Sequence, residues 1–257
     1  MFHYWQPGDT SEHLTYFNGD GGTSIASFVV AYSRNKLTEL TCYSPTSLAA
    51  SCLSGAANLK RIYSNTGKIA DLANNCAKGC TALTAVELTC ANSLQLNSNC
   101  FEGDTALKTL KIASSGTVTK AFGNSFLKNC TSLTSVSLPP FANKVGDTTK
   151  SQAPFYNCSS LRNLAIDATN SGYLGGYVVA ACPSLTSFTF NGGCKVLSGA
   201  QALDADTKAS LKDLNLNLAV AGSLEGNIAK SCAELTSITI NNGSMQTTGM
   251  FSGNPKL

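Results

Sequence analysis

Charge is scarce in this chain. Lys, Arg, Asp and Glu make up 13% of its 257 residues, about half of the ~25% usual for globular domains. Histidine is scarcer: His3 and His13 are the only two, so the commonest metal ligand and general base is missing beyond residue 13. No apolar run approaches the ~18 residues that a membrane span needs, so no membrane insertion is expected. The start, Met1 to Asp9, has no basic stretch followed by an apolar one, so it is not a secretory signal. The net charge of +3 is too small and too evenly spread to predict nucleic acid or an acidic membrane as a partner.

Catalytic signatures are missing as well. There is no His-Glu-x-x-His, no Gly-x-Ser-x-Gly and no Gly-Lys-Ser/Thr phosphate loop. Asn18-Gly-Asp20-Gly lacks the acidic ligands of a calcium loop and reads as a turn. Asp204 and Asp206 read as a solvated pair in a long connection. No catalytic residue, metal site or cofactor is expected, and the chain is not expected to be an enzyme.

What fills the sequence is a repeat. The pattern Leu-x-x-apolar-x-apolar starts at Leu37, Leu59, Leu83, Leu107, Leu133, Leu161, Leu185, Leu211 and Leu235. The second apolar position reads Leu40, Ile62, Val86, Leu110, Val136, Leu164, Phe188, Leu214, Ile238. The third reads Cys42, Ser64, Leu88, Ile112, Leu138, Ile166, Phe190, Leu216, Ile240, with Ser64 the outright break. Alternation through the last two positions predicts a short strand with one buried face. A further apolar point, at Phe101, Phe126, Phe155, Val179, Ile228 and Phe251, marks a return limb expected as a short helix or 3₁₀ turn. Nine matches in register predict an α/β repeat. The expected form is a right-handed leucine-rich-repeat solenoid over 36–257, with one parallel β-sheet on its concave face. No coil can bury its own apolar face, so the coils must stack.

The eleven cysteines follow the same register. Cys80, Cys130, Cys158, Cys182 and Cys232 each lie three residues before a first leucine. Cys52, Cys76 and Cys100 lie seven before one. They are expected to be buried free thiols, small hydrophobes with a weak S–H donor. The competing reading, zinc at Cys76, Cys80, Cys90 and Cys100, is disfavoured because the register already accounts for most of these positions.

The segments from Phe126 to Pro139, from Phe155 to Leu161 and from Cys182 to Phe188 resemble the repeat of BspA-type (Treponema-type) leucine-rich-repeat proteins. The resemblance covers roughly residues 36–257. It implies a surface-exposed or secreted protein and adhesion to matrix proteins or to other cells.

Residues 1–35 precede this register and are expected to form a cap, with a helix through Ile25 to Tyr32. Phe2, Tyr4 and Trp5 make an aromatic start that packs into that cap or contacts a partner. Phe251 and Leu257 open a tenth repeat, which leaves an uncapped end with an edge for self-association. On the strands, residues two, four and six after each first leucine face outward. Among them Glu39, Tyr43, Arg61, Tyr63, Glu87 and Lys111 are the expected ligand-binding set, because Tyr and Arg are the types enriched at binding hot spots. The expected function is a non-enzymatic interaction or adhesion module at a cell surface, binding a protein or glycan through the concave face. The alternative is a structural subunit of a virion, appendage or surface layer.

Overall fold

The computed structural model describes residues 16–18, 24–25, 36–43, 45–118, 122–146, 149–169, 172–175, 177–193, 195–196, 203, 205–224, 229–245 and 251–257. Within each of two sheets, a coil lays its strand beside that of the coil before, parallel and one repeat apart. Leu40 pairs with Ile62, Ile62 with Val86, Val86 with Leu110 and Leu110 with Val136. The ladder resumes with Leu164 beside Phe188, then Leu214, then Ile238. Every first leucine from Leu37 to Leu235 is at most 2% exposed. The buried set forms one continuous cluster along the stack. Ser64, the break in the third column, is also buried, with its hydroxyl against Thr66 Oγ1 at 3.3 Å.

The expected α/β class needs correction. Among the described residues the only helical elements are the four-residue helix Ala205–Lys208 and the 3₁₀ turn Lys150–Gln152. The return limb is instead a second parallel ladder. Ser24–Ile25 pairs with Ser47–Leu48, which pairs with Asp71 and Leu72, which pair with Gln95 and Leu96. Further along, Lys144–Val145, Tyr173–Leu174, Lys195–Val196 and Ser223–Leu224 continue it. Arg61–Leu72, Ala85–Leu96 and Asp213–Leu224 are twelve-residue strands that take part in both ladders. The chain is therefore a parallel-strand β-solenoid of stacked coils. Within residues 1–35, Tyr16–Asn18 pairs with Glu39–Thr41, and Ser24–Ile25 is strand rather than the start of a helix. The rest of that expected helix, like Phe2, Tyr4, Trp5, Ile228 and Asp204, lies outside the described residues.

Nor is there one sheet. The first ladder runs to Ser135–Ser137, and a separate sheet starts at Asn163–Asp167. The break begins at the strand entry, where neither the Arg162 nor the Asn163 amide bonds to the Thr134 carbonyl, and it continues to Pro139 and Pro140, which lack N–H groups. The chain rejoins at Phe141, whose N–H donates to the Asp167 carbonyl at 3.0 Å. Aromatic packing spans this stretch. Phe122 meets Phe126, Phe141 and Phe155 at ring-centroid distances of 4.8, 4.9 and 5.9 Å.

A conformational column accompanies the leucines. Four residues before the first leucine, the chain takes positive φ at Gly55, Gly79, Gly103, Asn129, Asn157, Ala181, Ser231 and Gly253. Glycine and asparagine suit this left-handed turn, whereas Ala181 and Ser231 occupy it at a steric cost.

The next residue holds the thiol column. Cys80, Cys130, Cys158 and Cys182 donate their S–H to the carbonyls of Leu53, Phe101, Leu127 and Phe155, at 3.1 to 3.3 Å. Each acceptor lies six before the first leucine of the preceding coil. The ten described cysteines are all buried and free, and Cys194 lies outside the described residues. Burial is the first cause that pushes the Cys80, Cys130 and Cys158 thiols up, so they stay protonated donors.

Two residues replace cysteine in this column with a polar side chain of one shape. Asn254 Oδ1 accepts the Cys232 N–H at 2.7 Å, and its Nδ2 donates to the Ala229 carbonyl at 3.0 Å. Asp104 Oδ1 accepts the Cys80 N–H at 2.7 Å in the same way. Its Oδ2 is buried without a hydrogen-bond partner, where the register places the carbonyl of Ala77. A carboxylate has no donor to offer there, whereas a neutral acid does. Burial raises the Asp104 pKa well above the carboxylate range, with the Cys80 and Gly79 N–H groups opposing it.

Two outcomes follow from this packing. Leu133→Ala should cost about 2–5 kcal/mol in urea unfolding. Its effect should be local, since coils touch mainly their neighbours; proteolytic cleavage appearing equally along the whole chain contradicts that. A raised folded pKa at Asp104 means that the unfolded chain gives up the proton first. Its contribution to stability should therefore decline as pH rises from about 4 through the folded value. Asp104→Asn should remove this decline and be more stable by about 1–3 kcal/mol near pH 8. Equal stability of the two proteins across the pH series would refute a buried neutral acid.

Candidate functional site

Alternation along the first ladder decides what the solenoid presents. In Arg61–Leu72, Ile62 and Ser64 are buried while Arg61 is exposed and Tyr63 half-buried. The pairing then stacks outward residues in columns. Glu39 lies beside Arg61, Arg61 beside Ala85, Tyr63 beside Glu87, and Glu87 beside Lys111. Tyr43, on the coil before, is 36% exposed.

The structure brings four of the expected residues into contact. Arg61 Nη2 lies 3.7 Å from Glu87 Oε2, and Lys111 Nζ lies 3.2 Å from Glu87 Oε1. The Arg61 guanidinium sits over the Tyr63 ring at 4.7 Å from its centroid, a cation–π contact. One carboxylate thus bridges two cations across three coils, and one of those cations covers a tyrosine. Small residues, Ala85 and Thr109, lie between these long side chains. The result is an open depression of about 300 Å³, bounded further on by Ser135 and Ser137. Such a groove can take a side chain or a short extended segment, with donors on its walls. Glu39 and Tyr43 flank the group.

Farther along, the same face is occupied with itself. Asn191 Nδ2 donates to Asp167 Oδ1 at 2.7 Å. Asn217 donates to Asn191 at 2.8 Å, and Asn241 to Asn217 at 2.6 Å. Sequence reading places these asparagines in one column but misses that their amides bond to one another. It also misses a network on the turn side. There Glu102 pairs with Lys78 at 2.8 Å and Lys128 at 3.5 Å, and Lys128 lies 5.8 Å from the Tyr156 ring. Its signal is another column, five residues before each first leucine.

Phe251 is partly buried and packs against the core, while Leu257 is 56% exposed. Among the described residues no three His, Cys, Asp or Glu side chains gather to hold a metal ion. No described helix is long and apolar enough to cross a membrane.

The family model described as the BspA type leucine rich repeat region matches in six copies, over residues 19–134, 96–205 and 151–257. A comparison with curated proteins found no match. Among solved structures, a leucine-rich repeat protein from Bacteroides ovatus ATCC 8483 is similar. It is 14% identical, with 95% of this chain and 86% of that one covered and a TM-score of 0.39.

The bridging carboxylate generates a stability test. Glu87→Gln removes both ion pairs, yet all three groups are at least 43% exposed. The cost should stay under about 1 kcal/mol and shrink with added salt. Urea unfolding at low and high salt measures it; a loss above about 2 kcal/mol would make Glu87 a structural rather than a presented residue.

Proposed function

Because the chain belongs to the BspA-type leucine-rich repeat family, we propose that it is a non-enzymatic interaction module. It works at a cell surface or as a secreted protein, and it docks a protein partner on the concave face carried by the first ladder. The family's common role in surface and protein interaction supports the class. The observation that supports the location is the cluster of Arg61, Glu87 and Lys111 around its depression, with Tyr63 against Arg61. A tyrosine brings a large rigid area with few rotors, and an arginine adds forked donors. The paired charges set orientation more than affinity. The Ser, Thr and Asn columns beyond Ser135 offer little apolar area, and their amides are already bonded to each other.

The test uses purified protein over immobilised extracellular-matrix proteins and over fixed epithelial cells. Arg61→Ala with Tyr63→Ala should weaken retention by about 30-fold or more, the equivalent of losing a hot spot of about 2 kcal/mol. Ser187→Ala with Thr189→Ala should change it little. The opposite ranking places the site elsewhere, and no retention on either surface removes the adhesive reading.

A further inference from the structure

The residue after each first leucine stands at the corner where a coil enters its strand, outside the cluster just described. From the second coil on, this position alternates without exception between a base and threonine. Lys60, Lys108, Arg162 and Lys212 occupy every second coil, and Thr84, Thr134, Thr186 and Thr236 follow each in turn. All four cations are exposed. Among the described residues none of them makes an ion pair at contact distance, unlike Arg61, Lys78, Lys111, Lys128 and Lys256.

The threonines explain how the spacing is held. Each hydroxyl donates back to the carbonyl of the basic residue one coil earlier. Thr84 bonds to Lys60 at 3.0 Å, Thr134 to Lys108 at 3.2 Å, Thr186 to Arg162 at 3.1 Å and Thr236 to Lys212 at 3.3 Å. The backbone under each cation is thus fixed, and the hydroxyl that intervenes is already engaged. Bases on successive coils would stand about 4.8 Å apart and repel. Lys60 and Lys108, and likewise Arg162 and Lys212, are two unbroken ladder steps apart, about 10 Å and slightly more than one Debye length at physiological salt, so each can take its own anion. The adjoining strand column carries charge only toward its ends, at Glu39, Arg61 and Asp213, and Glu234 lies near Lys212. Between Ala85 and Ser187 that column is uncharged, so Lys108 and Arg162 dominate the middle.

We propose that this corner is a second binding surface, for a linear acidic polysaccharide with one carboxylate or sulfate per disaccharide. In such a chain, extended, the anionic groups recur at about the interval of two coils, and hydroxyls fill the space over the threonines. A nucleic acid fits less well. Its phosphates recur every ~3.4 Å along a strand, far more densely than the cations, and no aromatic column lies alongside to stack bases.

Binding of hyaluronan, which carries one carboxylate per disaccharide, to the full chain tests the proposal. The carboxyl-reduced polymer and a single-stranded oligonucleotide serve as comparisons, by calorimetry at about 0.15 M ionic strength. Hyaluronan should bind and its neutral form should not. Lys108→Gln with Arg162→Gln should abolish the signal. Lys68→Gln with Lys230→Gln, which removes the same charge from exposed sites off the stripe, should preserve it. Arg61→Ala with Tyr63→Ala should also leave it intact, which separates this surface from the protein-docking face. Loss of binding in both lysine-depleted variants alike would reduce the effect to net charge and overturn the assignment. So would tighter, equally stripe-dependent binding of the oligonucleotide, or no hyaluronan binding at all.

Discussion

A coil of two dozen residues cannot bury its own leucine, and everything else in this molecule follows from that. The first leucine, the second and third apolar positions and the return-limb residue all point into one narrow space. Only the coils on either side can close it. Closure demands identical register, so the backbone amide at the strand entry finds the carbonyl one repeat back, except at Arg162, where the sheet breaks. Lys60 bonds to Thr38, Thr84 to Lys60, Lys108 to Thr84 and Lys212 to Thr186, at 2.7 to 2.9 Å. Once register is fixed, any side chain type repeated at one position becomes a column. Thiols against carbonyls, left-handed turns, linked amides and spaced cations are all columns of this kind.

This is also why so much was legible in advance. The leucine spacing located the first ladder, its outward columns and the buried thiols residue by residue. The return limb was not legible. Its strands are as short as two residues, as at Ser47–Leu48 and Tyr173–Leu174, and too brief to show a period. Only neighbours one coil away make them strands. The sheet break was not legible either, because it begins at the strand entry of Arg162, where a bond to the Thr134 carbonyl is missing. The cluster at Glu87 could be read as adjacency; that one carboxylate serves both cations required side-chain positions. Nor was the raised pKa of Asp104 legible; its missing donor shows only beside Asn254, where the same register position is filled by an amide.

The two proposed surfaces differ in physical character. The Arg61–Tyr63–Glu87–Lys111 group is compact, mixed in charge and partly apolar, suited to one shaped contact. The corner stripe is long, sparse and of one sign, suited to a polymer that repeats. Low overall charge makes both more effective. With 13% charged residues, few other ions compete for a ligand across the face.

Amide hydrogen exchange across the native chain tests the shared register most directly. The account predicts slow exchange at the strand-entry amides of coils on both sides of the break, including Thr84, Lys108, Thr186 and Lys212. Among the strand-entry amides, protection should be lowest at Arg162 and Asn163, which have no bond to the Thr134 carbonyl where the ladder is interrupted. Exchange at the entry amides of Thr84, Lys108, Thr186 and Lys212 as fast as in exposed loops would contradict the shared register, as would the strongest protection at Arg162 and Asn163.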